Sequence, residues 1–510
     1  MKNKIFITRK EILVIFVIVF TFFFFRLVNL TLMPVFADEA IYVRWSQIIA
    51  DDPAQRFIPL SDGKQPLFMW IAAPFVKYLS FDPVFAARLV SVLGGFFGMI
   101  GIYLVSYELF KNKRAAFLSS FLYAVVPFLI FYDRLAVVDG FLTAIGIWIF
   151  YLGVLLVKTQ RLDVSLILGM TLGAGLLTKS PAIFFAALIP TIILIFNFNQ
   201  KFWKSKFSKI IGLYLISLAM AFVIYNVLRL SPLFYLIGQR TGDFILTPKE
   251  ALNDPIGRLA PRFAKEIPLW FGQYLTWPIF LGGLVFIVFY LWRLKSQIWV
   301  LSLWFIGSLF VESAFAKSFT ARYIVFTAPF FLLIFAFGFV NLVSFLEKKA
   351  KIFLVLIPLL FVPALIFDYW LIVNPQKADI PEKERSGYLE EWSSGYGIAE
   401  IASYLENQTK GKVLVGTEGR FGTLPDGLEV YLRDSQRITV VGMGQPAFIN
   451  DVPESLKNTA QNGEPAYLVV NKSRLFKPAK DDPSLNLIKS FPKAEKPTGS
   501  RDQLLLFEVR

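Results

Sequence analysis

Residues 11–45 read EILVIFVIVFTFFFFRLVNLTLMPVFADEAIYVRW, and this stretch decides the fold class. The run to Leu32 follows a basic segment, Met1–Lys10, with four Lys and Arg. It is too long for the apolar core of a signal peptide, and no small-residue cleavage site follows. It reads as a membrane span, since about 20 apolar residues as a helix cross ~30 Å of hydrocarbon. An acidic pair, Asp38 and Glu39, comes directly after it.

The rest of the chain repeats the pattern. Of 510 residues, 56% are hydrophobic and 55 are Phe, with a mean hydropathy of +0.58. Soluble domains hold about 45–50% apolar residues. Further apolar runs fall at 84–109, 115–131, 140–157, 163–178, 181–198, 210–228, 268–291, 298–315, 323–345 and 352–373, which makes eleven expected spans. The expected fold is thus an α-helical polytopic membrane protein of about eleven transmembrane helices, residues 1–373. A C-terminal soluble α/β domain follows at 374–510.

Charge gives the orientation. With the N-terminus inside, the inner segments 1–10, 110–114, 158–162, 199–209, 292–297 and 346–351 carry 18 Lys and Arg. The short outer segments 132–139, 179–180 and 316–322 carry 1, 1 and 2. This is the positive-inside bias, and an odd number of spans places the C-terminal domain outside. The net charge of +15 belongs to the membrane part, because residues 374–510 hold 18 basic and 19 acidic residues. Inner loops and anionic membrane lipids account for it without nucleic acid. Zero Cys and zero His exclude disulfides, thiolate nucleophiles and the commonest general base and metal ligand.

Two outer segments are long. The first, 33–83, contains amphipathic stretches at Ala40–Ile49 and Pro66–Tyr78 that suit interfacial helices. The second, 229–267, suits either a cover over a site or a plain connector. Beyond Asn374, helices are expected at Gly397–Glu406 and Leu428–Leu432. Strands are expected at Lys412–Gly416, Ile438–Val441, Ala466–Val470 and Leu504–Val509. Gly442-Met443-Gly444 is not a dinucleotide fingerprint, since the third Gly and the following helix are missing.

Ionisable residues near spans are costly, so each is a candidate for function. Asp38 and Glu39 lie in PVFADEAIYVRW with Tyr42, and Lys64 in SDGKQPLFMW. Asp133, Arg134 and Asp139 lie in YDRLAVVDGFLT, and Lys179 in GLLTKSPA. Glu312, Lys317, Arg322 and Tyr323 surround the last short outer loop. All map to one side of the membrane. Each also has a plain structural reading: Asp139 as a helix cap, Lys64 and Lys179 as snorkelling anchors, Arg322 and Tyr323 as interfacial residues.

The Asp38-Glu39 pair, the Gly63-Lys64-x-Pro66-Leu67 string and Asp139 before Leu142-Thr143 resemble the C-type (GT-C) glycosyltransferase superfamily. Leu177-Thr178-Lys179 and Arg322-Tyr323 followed by Pro329 extend the likeness over about residues 10–345. The branch it resembles holds protein O-mannosyltransferases and lipid A aminoarabinose transferases. The resemblance implies a multi-span enzyme that takes a sugar from a polyprenyl-phosphate carrier to an acceptor hydroxyl, with Asp38 as catalytic carboxylate and Asp139 as a second acidic position. Lys64 matches a carrier-phosphate contact, with Arg322 and Lys179 as further phosphate-site cations. Glu39 stands with Asp38 and Asp139 as a candidate catalytic residue, and Tyr42, Arg134 and Tyr323 complete the candidates. Direct displacement inverts the anomeric centre. The aminoarabinose branch carries a Glu before the lysine and a His, both associated with a metal. Here Gly63 takes the Glu position and no His exists, so a metal-independent site is expected; Glu39 and Asp139 are the oxygen ligands that Mg²⁺ or Mn²⁺ would use. Two other classes place charges in membrane spans or domains outside them, a transporter or flippase and an assembly protein. A transporter puts charges near the midplane in repeat-related halves, and neither feature is present.

Overall fold

The computed structural model describes residues 8–79, 81–349, 351–445, 447–476 and 479–510; Lys2 and Lys4 of the N-terminal inner segment lie outside them. The chain forms two compact units. One comprises the residues up to Val28, Arg56–Phe68 and Leu89–Val373. The other comprises Asn29–Gln55, Met69–Arg88 and Asn374–Arg510. The sheet unit thus takes in two pieces of the first long outer segment, which the sequence division at Asn374 assigns to the membrane part.

The first unit is helical. Its opening helix, Arg9–Leu27, starts with a reciprocal cap: Thr8 Oγ1 accepts from Glu11 N–H (3.2 Å) and Glu11 accepts from Thr8 N–H (2.9 Å). Among the described residues, five helices are long and apolar enough to cross a membrane, or up to seven if each bent pair is one span. Shorter apolar helices include Leu162–Thr178 and Ile357–Val373. The expected straight span 268–291 is instead broken. Pro255–Tyr274 and Trp277–Trp292 meet at 117°, because Thr276 takes a left-handed φ of 70° and Pro278 starts a new helix. The expected span 115–131 bends by 56° between Lys113–Val125 and Pro127–Asp133. Pro127 has no N–H, so the bend leaves carbonyls without helical partners. The Arg26 guanidinium takes up those of Tyr123 and Ala124, at 3.0 Å each. Where helices Leu162–Thr178 and Trp203–Tyr225 pack, Gly169 lets the backbone at Ser217 approach; a Cβ there would meet Ser217 O at 2.6 Å.

The second unit holds a five-stranded sheet of order β2-β1-β3-β5-β4, with β1 Val413–Thr417, β2 Ile438–Gly442, β3 Ala466–Asn471, β4 Leu485–Pro492 and β5 Gln503–Val509. β1 pairs in parallel with β2 and β3, and β5 runs antiparallel between β3 and β4. Four strands lie where the apolar patterning places them. β4 was not expected: it is an edge strand whose residues are mostly half-buried or exposed, so it shows no continuous apolar run. Helix Ile398–Gln408 and helix Asp426–Tyr431 match the two helical expectations, and Glu454–Gln461 adds a third that is mostly polar.

A buried polar cluster lies at the C-terminal ends of β1 and β3. The Glu418 carboxylate accepts from both the backbone N–H and the side-chain amide of Asn471. Burial pushes the Glu418 carboxyl up from 4.5 to about 7. The folded chain therefore holds a proton on Glu418 between pH 4.5 and 7 that the unfolded chain has released. Stability falls as pH rises through that window, by about 1–3 kcal/mol. Thermal midpoints across pH 4–8 are expected to show this fall, and Glu418→Gln to flatten it.

Candidate functional site

The geometry of each unit is set by buried charge pairs. In the first unit, Asp139 sits in the first turn of helix Val138–Thr159 and is 2% exposed. One carboxylate oxygen accepts from Lys179 Nζ at 2.5 Å. The other meets Arg322 Nη2 at 2.9 Å and Nε at 3.1 Å. Three segments converge on this point: the start of one helix, the end of Leu162–Thr178, and the turn Ala321–Tyr323. The Tyr323 ring lies 4.6 Å from Lys179 Nζ. Asp139, Lys179, Arg322 and Tyr323, drawn from distant parts of the sequence, thus form one cluster.

Lys64 lies beside a second set of charges in the same unit. Its Nζ is 3.5 Å from Asp62, which also receives Arg240 at 2.6 Å. Arg240 belongs to helix Tyr235–Phe244, within the long outer segment 229–267. Gly63 makes this approach feasible. Its φ is +68°, and a Cβ would meet Arg240 Cβ at 2.8 Å and Leu236 O at 3.0 Å. Any side chain at position 63, Glu included, would therefore be strained and would crowd Arg240. Gln65 donates to Ser180 Oγ at 2.7 Å, which ties the Lys64 string to the residue after Lys179. Lys64 and Arg240 thus meet at Asp62, and Lys179 and Arg322 at Asp139, with the Gln65–Ser180 bond joining residues next to Lys64 and Lys179.

Asp38 and Glu39 belong to the second unit, in the first turn of helix Ala37–Asp51. Asp38 is half-buried. Glu39 is fully buried and held two-pronged by Arg88, with Nε–Oε1 and Nη2–Oε2 both 2.7 Å. Arg88 also donates to the carbonyls of Leu30, Met33 and Pro34. The pair therefore fixes the turn that delivers Asp38. Within the unit the helix is further held by Arg44–Glu429 at 2.8 Å and by Gln47 donating to Val430 O at 2.9 Å. Tyr42 is buried near Trp45, with ring centroids 6.1 Å apart.

Arg134 has a different place from the cluster residues. Its Nη1 donates to the carbonyls of Phe25, Arg26 and Val28, so it caps the C-terminal end of the opening helix. Its neighbour Asp133 pairs with buried Arg26 at 2.9 Å. Sequence reading passed over Arg26, Arg88 and Asp368 because each lies inside an apolar stretch. The cost of a charge in such a stretch is the signal that finds them.

The metal associated with the aminoarabinose branch does not fit these residues. Both oxygens of Asp139 are held by Lys179 and Arg322, and both of Glu39 by Arg88. Among the described residues no group of three or more acidic side chains stands together.

Residues 63–226 match a family model described as dolichyl-phosphate-mannose-protein mannosyltransferase. That stretch includes Lys64, Arg134, Asp139 and Lys179. Among solved structures, the chain is similar to ArnT from Cupriavidus metallidurans bound to undecaprenyl phosphate. The TM-score is 0.60 at 15% identity, over 98% of this chain and 97% of that one. The same protein in the apo state gives 0.57 at 14% identity over the same shares. The archaeal oligosaccharyltransferase AglB from Archaeoglobus fulgidus, in complex with an inhibitory peptide and a dolichol-phosphate, gives 0.55 at 13% identity, over 97% of this chain and 74% of that one. A search of curated protein sequences returned no match. The fold is that of the GT-C glycosyltransferases.

Proposed function

We propose that this chain, a membrane glycosyltransferase of GT-C fold, transfers a sugar from a polyprenyl-phosphate carrier to an acceptor hydroxyl with inversion at the anomeric carbon. The observation that carries this reading is the pair of cations, Lys179 and Arg322, held by one buried carboxylate, Asp139. Lys64 and Arg240 flank a second carboxylate, Asp62. Such a cluster is built in advance for a phosphate, since its charges are already oriented and need no reorganisation when the leaving group departs.

The roles follow from bond accounting. The bond from the anomeric carbon to the phosphate oxygen breaks, and its electron pair leaves with the polyprenyl phosphate. Lys64, Lys179 and Arg322 stabilise that developing charge, with Arg322 able to contact two oxygens. The acceptor oxygen forms the new bond on the opposite face of the carbon, and Asp38 takes its proton as general base. Glu39 positions Asp38 through Arg88. No step requires a metal. One solved structure holds undecaprenyl phosphate and another a dolichol-phosphate with an inhibitory peptide, which supports a lipid-linked donor and, in general terms, an acceptor. The positive-inside count supports an outer-face site with residues 374–510 on that face, and the short loops suit a plasma membrane. The relatives give the transporter and assembly readings no support.

The test is transfer by purified full-length protein in lipid, supplied with radiolabelled polyprenyl-phosphate sugars of known anomeric configuration and a membrane extract as acceptor. Label is expected to move from one donor into product of inverted configuration. Absence of both transfer and donor binding across the panel overturns the reading, and product of retained configuration overturns direct displacement.

A further inference from the structure

Each of the parallel strands β1, β2 and β3 passes at its carboxyl end into a loop that carries a phenylalanine. Phe421 follows β1, Phe448 follows β2 and Phe476 follows β3. They are 43%, 37% and 45% exposed, beyond the apolar helices, at the edge where open α/β sheets bind ligands. The rings are held in place. Phe448 and Phe476 lie side by side, centroids 5.0 Å apart, because their loops are bonded to each other. Ile449 N–H donates to Arg474 O, and Phe476 N–H to Ile449 O, both at 2.9 Å. The Arg474 guanidinium continues the row, 5.4 Å from the Phe448 ring and 3.8 Å from that of Trp392. A Cβ on Gly422 would meet Trp392 at 3.9 Å, and Phe421 is the residue before it. The loop after β2 packs on that after β1, since a Cβ on Gly442 would meet Gly419 O at 2.5 Å. Phe421 in turn packs on Trp45, with centroids 5.7 Å apart. Trp45 lies seven residues after Asp38 in helix Ala37–Asp51, on the same face and about 10 Å further along it. A row of planar groups thus runs from the sheet edge to the helix that carries Asp38, all within the second unit.

The chemistry of the row selects its ligand. The N–H groups of Ile449 and Phe476 are engaged between the loops, so an extended peptide gains no strand ladder there. What the row offers is exposed ring faces with a guanidinium among them. A pyranose matches this: its C–H face stacks on a ring, and the hydroxyls at its rim meet the polar groups between rings. We infer that the row Phe421, Phe448, Phe476, Arg474 and Trp392 binds a glycan chain and holds it as the acceptor for Asp38. The inference rests on the transfer reading above and names the class of acceptor. The attacking hydroxyl belongs to that glycan; its proton passes to Asp38, and the phosphate leaves with the polyprenyl carrier.

The experiment applies full-length protein in lipid to a printed array of defined oligosaccharides and of Ser- and Thr-containing peptides. Wild type is expected to bind one glycan series and to move label onto it from a radiolabelled polyprenyl-phosphate sugar. Phe421→Ala, Phe448→Ala and Phe476→Ala are each expected to weaken that binding about 3- to 10-fold, the worth of one aromatic contact. KM for the glycan is expected to rise by the same factor, with binding of sugar-free polyprenyl phosphate unchanged. Each position is also changed to Leu, which keeps apolar bulk without a ring, and to Trp, which keeps a ring. Leu is expected to bind as weakly as Ala, and Trp to restore binding. Rescue by Leu would reduce the rings to packing and overturns the inference. Peptide binding in place of glycan binding, no binding to the array, or Ala variants that bind as wild type overturn it too, with the donor reading intact. A bound glycan that takes no label, from a wild type that labels a membrane extract, overturns the acceptor role. A wild type that neither binds nor uses any lipid-phosphate donor overturns the donor reading, and the acceptor role with it, whatever the array shows.

Discussion

Asp38→Asn protein is expected to fold as the wild type does and to transfer sugar about 10²- to 10⁴-fold more slowly, the range for removing a general base. Asn keeps the size and shape of Asp but loses its charge and its capacity to take a proton. Asp38 is the second residue of helix Ala37–Asp51. A negative charge there interacts with the helix N-terminus for about 0.3–1 kcal/mol, which Asn gives up. The loss should fall on kcat, with the donor KM little changed, because the interaction is made with the acceptor proton in the transition state. Single-turnover transfer and a thermal melt on the same preparation check both halves. Full transfer by Asp38→Asn would remove the base from Asp38 and leave the cationic cluster untouched.

Much of this arrangement is legible in the sequence, for reasons tied to particular residues. Charges beside apolar runs are expensive, and this cost picked out Asp139, Lys179 and Arg322, which the fold brings to one point. Strands β1, β3 and β5 were found because each is a short apolar run; β4 was missed because its residues are mostly half-buried or exposed. Pairings were not legible. Glu39 and Arg88 are 49 positions apart, and the sequence contains the cost of each charge without naming its partner. Nor was the attachment of Asn29–Gln55 to the C-terminal unit. The amphipathic pattern of Ala40–Ile49 says that one face is covered; that the cover includes Glu429 and Val430 depends on residues nearly 400 positions later. The break at Thr276 was hidden for a different reason, since hydropathy runs straight through it while the backbone does not.

Arg88→Met is expected to carry the largest stability loss of any single substitution considered, about 3–5 kcal/mol. Both members of the Arg88–Glu39 pair are fully buried. Methionine fills much of the volume of the arginine stem but leaves the Glu39 carboxylate facing no cation. It also strips three carbonyls, those of Leu30, Met33 and Pro34, of a donor. Desolvation of an unpaired charge, rather than loss of the attraction itself, dominates the cost. The double variant Arg88→Met/Glu39→Leu should therefore recover most of the stability, since it removes both charges together. Activity should not recover with it. The pair fixes residues 30–36 and, through the Phe36 N–H that Glu39 accepts at 3.2 Å, the first turn that presents Asp38. A double variant that melts near the wild-type midpoint yet transfers slowly would separate the positioning of Asp38 from the stability of its unit. A double variant as active as wild type would show that Asp38 needs no such support. A single Arg88→Met that melts with the wild type would remove the pair from what holds this unit together.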